Sequence, residues 1–251
     1  MKIVAIIPAR YASTRFEGKP LAAIAGKPMI QHVYESAARS DKVSAVVVAT
    51  DDVRIRDAVL AFGGNAIMTS EDQRSGTDRA AEAAERMGLS PDDIVINVQG
   101  DQPLVPSESF DTVVAPLLED PGVEMSTLAF LIMDQHEYTN PKDCKVVMDR
   151  NGFALYFSRA KVPFSRDGES RFDAFKHLGI YAYTRRFLDL FRNLPTGQLE
   201  QVEKLEQLRA LEYGHRIKVM VTPFDSPEVD VPEDIPRIEA MLRSKKNPQV
   251  G

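Results

Sequence analysis

The first hundred residues alternate between short apolar runs and helical patterns, and this alternation restricts the fold more than any other feature of the chain. The apolar runs, rich in Ile, Val and Ala, cover residues 2–9, 43–50, 65–69 and 93–100. Continuous apolar runs of this length are typical of strands buried on both faces of a parallel sheet. The sequence therefore predicts βαβ repeats, and ligands of such sheets bind in the loops that follow the carboxyl ends of the strands.

The second half of the chain has a different pattern, with strands close together and few helices between them. The predicted strands cover residues 125–132, 145–148, 153–157, 177–183 and 217–222. Asn151-Gly152 predicts a hairpin, because both residues tolerate positive φ. Residues 165–171 form a polar loop, residues 199–211 have the spacing of one amphipathic helix, and a last helix begins at Pro232. We expect a single α/β domain over residues 1–251, with a mixed, mostly parallel sheet flanked by helices and an antiparallel subregion.

Charge and composition exclude several classes of partner. The 251 residues carry a formal net charge of −6 and no long basic run, so we expect no binding to nucleic acid. No apolar stretch reaches the roughly 18 residues of a membrane span, and the apolar start is too short for a signal peptide, which predicts a cytoplasmic protein without membrane insertion. The lone Cys144 cannot form an internal disulfide, and we interpret it as structural rather than catalytic.

The loop after the first predicted strand concentrates positive charge. Arg10, Arg15 and Lys19 lie within ten residues, where side chains and backbone N–H groups can converge on a polyanion such as a triphosphate. The alternative is a solvated basic loop, but its place at the end of the strand favours the anion site. The loop lacks the spacing of a Walker A motif, and no G-x-G-x-x-G dinucleotide fingerprint is present.

Other candidate residues have both a functional and a structural interpretation. Asp101 ends the fourth strand, where it suits either Mg²⁺ binding or a turn cap, and Asp230 suits either a second metal ligand or a helix start. Ser75, Gly76 and Thr77 open a predicted helix, whose free backbone donors suit an anion or a base edge. By itself, His177 at a strand edge is more typical of a structural histidine.

Eight short motifs together resemble the 3-deoxy-manno-octulosonate (Kdo) cytidylyltransferase family, also called CMP-Kdo synthetases. They are IPARYAST at residues 7–14, GKPL at 18–21, GKPMI at 26–30, VATD at 48–51, SGT at 75–77, NVQGD at 97–101, ALYFSR at 154–159 and HLGIY at 177–181. The chain departs from the common pattern at Phe16-Glu17, Gln102, Ala182 and Val231, and residues 164–176 match least well.

The resemblance implies a nucleotidyltransferase-type, Rossmann-like fold and transfer of CMP from CTP to Kdo, a lipopolysaccharide precursor, with Mg²⁺ and release of pyrophosphate. It assigns residues 1–120 to CTP binding and residues 121–251 to sugar binding and to a homodimer. It implies that Arg10, Arg15, Lys19 and Asp101 are catalytic and bind CTP together with Ser75, Gly76 and Thr77, and that Asp101 and Asp230 hold the metal. The implied sugar-binding residues are Gln99, Arg159, His177, Tyr181, Glu206 and Gln207.

Three alternatives remain at this stage. The first is the same reaction on another acidic sugar, such as 8-amino-Kdo or a sialic-type acid. A protein that senses CTP without turnover is a second alternative. A nicotinamide oxidoreductase is a third, and the missing glycine fingerprint disfavours it.

Overall fold

The computed structural model describes residues 1–13, 15–166 and 172–246, with side chains described up to residue 244. Thr14 of the basic loop and residues 167–171 of the predicted polar loop lie outside the described residues. The strands are β1 Ile3–Ala9, β2 Ala23–Ile24, β3 Lys27–Pro28, β4 Ala45–Thr50, β5 Ala66–Met68, β6 Ile94–Asn97, β7 Met125–Leu131, β8 Lys145–Met148, β9 Ala154–Ser158, β10 Phe175–Thr184 and β11 Lys218–Thr222. The α-helices are α1 Met29–Ala37, α2 Val53–Ala61, α3 Gly76–Arg86, α4 Ser107–Glu119, α5 Gln135–Thr139, α6 Arg185–Asn193, α7 Gln198–Glu203, α8 Leu208–Glu212 and α9 Ile235–Lys246.

One mixed sheet runs through both halves of the described chain. Its strand order is β11-β7-β10-β6-β1-β4-β5, and β8 pairs with both β10 and β9. The pairs of β1 with β4, β1 with β6 and β4 with β5 are parallel, as the βαβ pattern predicts. β10 is antiparallel to both β6 and β7, so it joins the parallel half to the second half. The predicted mixed, mostly parallel α/β sheet is confirmed.

The two faces of the sheet bury separate apolar clusters. In β1, Ile3, Ala5 and Ile7 face the cluster beneath α1, α2 and α4, whereas Val4 and Ile6 face the cluster beneath α3 and α6. Alternate side chains of a strand point to opposite faces, so both sets must be apolar. This explains why β1 reads as a continuous apolar run. None of the helices in the described ranges has the length and apolar composition needed to cross a bilayer.

The predicted helix over residues 199–211 is wrong as one element. The structure has two short helices, α7 and α8, with Lys204 between them in the left-handed conformation at φ 55° and ψ 44°. A left-handed residue ends a helix, because the next residues can no longer make the regular hydrogen bonds. The break matters for function, because residues 205–207 turn toward the carboxyl edge of the sheet instead of continuing along its surface.

A buried lysine fastens the second half of the sheet. Lys145 in β8 is fully buried, and its ammonium donates to the carbonyls of Asn140 (3.0 Å), Asp143 (2.6 Å) and Arg159 (2.8 Å). Burial lowers the pKa of this amine. We expect Lys145→Met to lower the free energy of unfolding by about 1–3 kcal/mol, because three buried acceptors lose their donor. Urea unfolding of wild type, Lys145→Met and the exposed-lysine control Lys42→Met measures this, and equal stability of all three proteins would contradict it.

Candidate active site

The loops at the carboxyl ends of β1 and β6 and the start of α3 enclose a cavity of about 280 Å³. Seven predicted site residues line it: Arg10, Arg15, Lys19, Ser75, Gly76, Gln99 and Asp101. They converge because parallel strands end at the same edge of a sheet. The lining also includes Gln73, Arg74 and Arg79, which were not among the predicted site residues. Arg79 had a usable signal, since it lies four residues after Ser75 on the same helix.

Ion pairs join the basic loop to both predicted metal ligands. The Lys19 ammonium lies 2.7 Å from a carboxylate oxygen of Asp101 and also donates to the carbonyl of Val229 at 2.9 Å. Arg15 pairs with Asp230 at 3.0 Å. The backbone N–H of Val229 donates to the carbonyl of Asp101, which brings the two predicted metal-ligand segments together.

The same corner gathers negative charge. Burial, followed by the charge of Asp101, raises the pKa of Glu228 to about 7, and the charge of Asp230 acts in the same direction. Carboxylate oxygens that repel one another in this way favour a small divalent cation between them. Asp101 and Asp230 therefore suit a hard cation such as Mg²⁺, which proteins bind through one or two carboxylates together with substrate phosphates.

The start of α3 forms one wall of the cavity. Ser75 is the N-cap and accepts the backbone N–H of Asp78 at 3.1 Å. Gly76 packs against Pro8 of β1, since a Cβ at residue 76 would lie 3.5 Å from the Pro8 ring. Thr77 is buried and does not line the cavity; its hydroxyl instead donates to Glu206 at 2.6 Å. Of the three residues predicted to bind CTP at the start of α3, Ser75 and Gly76 therefore line the cavity, whereas Thr77 lies behind the cavity wall.

A second cavity of about 520 Å³ adjoins the first, and Gln99 lines both. All six predicted sugar-site residues line this second cavity: Gln99, Arg159, His177, Tyr181, Glu206 and Gln207. Gln99 is held by a hydrogen bond to the carbonyl of Gly179 at 3.0 Å, and a Cβ at residue 179 would come within 3.3 Å of its side chain. The break at Lys204 is what brings Glu206 and Gln207 to this wall.

Arg159 and a buried lysine cluster supply charge around the second cavity. Arg159 donates to the carbonyls of Glu203 (2.8 Å) and Pro141 (3.0 Å), which fixes its guanidinium. Lys176 pairs with Glu137 at 2.6 Å and with Asp225 at 3.1 Å. Sequence reasoning missed Lys176, Glu137 and Asp225, because they come from three segments far apart in the chain and belong to none of the motifs.

Cys144 also lines the second cavity, but it is buried, and burial raises the pKa of its thiol to about 12. The thiol is therefore protonated at neutral pH and is a poor nucleophile. The thiol donates to the carbonyl of Lys145 at 3.6 Å, and the side-chain amide of Gln207 lies 3.9 Å from Sγ.

His177 is held as a neutral ring. Its Nε2 lies 2.9 Å from the Thr127 hydroxyl, and the rings of Phe157 and Tyr181 pack beside it at centroid distances of 5.0 and 5.4 Å. Desolvation lowers the pKa of His177 to about 3. The imidazole therefore suits hydrogen bonding to a neutral group and does not supply a positive charge at physiological pH.

The lowered pKa of His177 predicts a loss of stability in acid. Between pH 6.5 and 3 the unfolded chain binds a proton at this residue and the folded chain does not, so the free energy of unfolding falls as pH falls, by at most about 1.4 kcal/mol per pH unit. We expect His177→Gln to lose this contribution and to have a shallower dependence. Urea unfolding of both proteins at pH 7, 6 and 5 measures the difference, and parallel curves would contradict it.

A cationic cavity at the carboxyl edge of an α/β sheet, lined by Asp101 and adjoining a second polar cavity, has the features of a nucleotidyltransferase-type enzyme. Comparisons with known proteins specify the family. Residues 4–217 match the family model described as cytidylyltransferase. The chain belongs to the cytidylyltransferase family.

The similar proteins cover nearly the whole chain. A 3-deoxy-manno-octulosonate cytidylyltransferase of Desulfosudis oleivorans is 66% identical over 97% of this chain and 98% of its own length. An 8-amino-3,8-dideoxy-manno-octulosonate cytidylyltransferase of Shewanella amazonensis is 57% identical over 97% of this chain and 99% of its own length. A solved CMP:2-keto-3-deoxy-manno-octonic acid synthetase complexed with CTP has a TM-score of 0.92 and 42% identity, and the match covers 98% of this chain and 100% of that one. The resemblance inferred from the short motifs is confirmed.

Proposed function

We propose that this cytidylyltransferase transfers CMP from CTP to Kdo and releases pyrophosphate. The observation that carries the proposal is the meeting of the two cavities at Gln99, beside the Lys19–Asp101 pair. One cavity has the cations that a triphosphate requires, and the other has the dense hydrogen-bonding groups that a polyhydroxylated acid requires. The relatives and the solved neighbour bear names for this reaction.

In the proposed reaction the anomeric C2 hydroxyl of the sugar attacks the α-phosphorus of CTP. The new O–P bond forms as the bond to pyrophosphate breaks, and the hydroxyl proton is released to solvent water. Such a displacement needs positioning and charge neutralisation more than covalent catalysis. Arg10, Arg15 and Lys19 bind the phosphates. Arg159 and Gln207 orient the sugar in the second cavity, and Gln99 does so where the two cavities meet.

Asp101 and Asp230 are the residues that would hold Mg²⁺. When bound, this ion neutralises phosphate charge and favours the deprotonated form of the attacking hydroxyl. In the structure Asp101 pairs with Lys19 and Asp230 with Arg15. Were the two carboxylates to hold the ion, Lys19 and Arg15 would be left to bind the phosphates.

A coupled assay of pyrophosphate release tests the function. With CTP and Mg²⁺, we expect turnover with Kdo and much less with N-acetylneuraminic acid, and we expect EDTA to abolish it. An 8-amino-Kdo arm is essential, since relatives at 54–57% identity are named for that sugar. Faster turnover of 8-amino-Kdo than of Kdo would show that 8-amino-Kdo is the preferred sugar. CTP binding without pyrophosphate release from any sugar would support a sensor instead.

We also propose that the enzyme is a homodimer that associates through its second half. Leu155 of β9 and Val202 of α7 are 63% and 75% exposed, and the two elements pack together through the hydrogen bond from Ser158 to Glu203. We infer that the two side chains belong to one apolar patch, because contiguous exposed apolar patches mark interfaces. Sedimentation should give twice the 27.9 kDa of one chain, and Val202→Glu should shift the mass toward the monomer. A wild-type species of single-chain mass at micromolar concentration would contradict the dimer.

A further inference from the structure

Glu206 lies between the second cavity and the start of α3. The sequence resemblance assigns it to the sugar, and it does line the second cavity. Its carboxylate, however, accepts the hydroxyl of Thr77 at 2.6 Å, across 129 residues of chain. The nearby Ser75 hydroxyl acts together with that of Thr77 against the rise in the pKa of this carboxyl that burial causes. Both hydroxyls belong to the motif that starts α3, at the wall of the first cavity.

The partners of Thr77 make this contact part of a longer network. The Thr77 hydroxyl also accepts from the side-chain amide of Asn97, at the end of β6, at 3.2 Å. The Thr77 hydroxyl therefore donates its one proton to Glu206 and accepts from Asn97 with one of its lone pairs. On the other side of Glu206, Arg209 lies 3.8 Å from its second carboxylate oxygen and is itself held by Glu200 at 2.5 Å.

The backbone places Glu206 where it can make this contact. Lys204 in the left-handed conformation interrupts the helix and turns residues 205–207 toward α3. A lysine in this conformation is uncommon, and such residues persist where surrounding contacts hold them. The bond from Thr77 to Glu206 is one contact that holds this segment.

We propose that Glu206 is a positioning residue for the nucleotide, which holds the Ser75–Thr77 turn in place for CTP and thereby ties the nucleotide cavity to the sugar cavity. The inference rests on the proposed assignment of the first cavity to CTP. If Glu206 served the sugar alone, its removal would weaken sugar binding and leave CTP binding in the absence of sugar unchanged. If it positions the turn, CTP binding weakens even with no sugar present.

Calorimetric titration of CTP with Mg²⁺ and without sugar separates these roles. We expect Glu206→Met, which removes both acceptor oxygens, to raise the Kd for CTP by about tenfold or more, as loss of a hydrogen bond to a charged group typically does. Glu206→Gln keeps one acceptor and should lie between Met and wild type. Thr77→Val should weaken CTP binding in the same way, whereas Thr77→Ser, which keeps the hydroxyl, should restore it.

The controls distinguish failure of this inference from failure of the proposed function. Gln207→Ala should raise the KM for the sugar and leave the Kd for CTP unchanged. The double variant Glu206→Met/Thr77→Val should bind CTP as well as the single variant with the higher Kd, because both substitutions remove the same hydrogen bond. Circular dichroism checks that each variant folds. If wild type fails to bind CTP, the proposed function is wrong. If wild type binds CTP and the Glu206 and Thr77 variants bind it equally well, Glu206 does not position the turn.

Discussion

Asp101→Asn should reduce turnover at saturating Mg²⁺ by about 10²–10³, the usual effect of removing one preorganised electrostatic contact from a reacting centre. The substitution keeps the size of the side chain and removes its charge. In the structure that charge pairs with Lys19 at 2.7 Å. Asp101 lines the first cavity, and Asp230 lines the second. The loss should appear in kcat, because Mg²⁺ in excess cannot restore the missing ligand charge.

The measurement is pyrophosphate release with CTP and Kdo over a range of Mg²⁺ concentrations. The exposed Asp41 supplies a matched control, and Asp41→Asn should retain wild-type turnover. Circular dichroism and thermal unfolding confirm that both variants fold. Near-normal turnover of Asp101→Asn would remove this residue from the catalytic assignment.

Lys19→Met should lower kcat/KM for CTP by a similar factor of about 10²–10³. Methionine keeps the length and the apolar stem and removes the ammonium that contacts both Asp101 and the Val229 carbonyl. Two effects add in the variant, because the phosphates lose a cation and the Asp101 carboxylate is left without its partner. Lys19→Arg should be intermediate, since a planar guanidinium does not reproduce a compact ammonium.

Lys42→Met, at an exposed lysine, is the matched control for the loss of one positive charge. The double variant Lys19→Met/Asp101→Asn should be less impaired than the product of the single effects, because the two side chains contact one another. Unchanged kcat/KM in Lys19→Met would show that the ammonium holds the loop and does not act on the phosphates.

Most of the sheet could be predicted because strands buried in a sheet have a recognisable pattern of apolar residues in the sequence. β1 was expected over residues 2–9 and is observed at Ile3–Ala9, and the hairpin at Asn151-Gly152 joins β8 to β9 as predicted. The helix over residues 199–211 was not predictable as two. Apolar residues at steps of three over this range predict one continuous helix. The residue that breaks the helix is Lys204, and a lysine does not predict the left-handed conformation as a glycine would.

The site was predictable where chain order implies proximity. Residues after β1 and β6 meet because the strands are neighbours in the sheet, so Lys19 and Asp101 follow from topology. The pair of Arg15 with Asp230 joins segments more than two hundred residues apart. Only the family resemblance assigned both residues to the active site, Arg15 to CTP and Asp230 to the metal. The cluster of Lys176, Glu137 and Asp225 left no local trace, because no periodicity or spacing connects α5, β10 and the segment after β11.

The two ion pairs that join Arg15 to Asp230 and Lys19 to Asp101 place an opposite charge beside each of these four side chains. A free anion that enters must separate a cation from its carboxylate and leaves that carboxylate uncompensated. A nucleotide that arrives with a divalent cation supplies both replacements in a single exchange. If Asp101 and Asp230 hold Mg²⁺ as proposed, the two ion pairs would therefore favour binding of the metal–nucleotide complex over binding of a free phosphate anion.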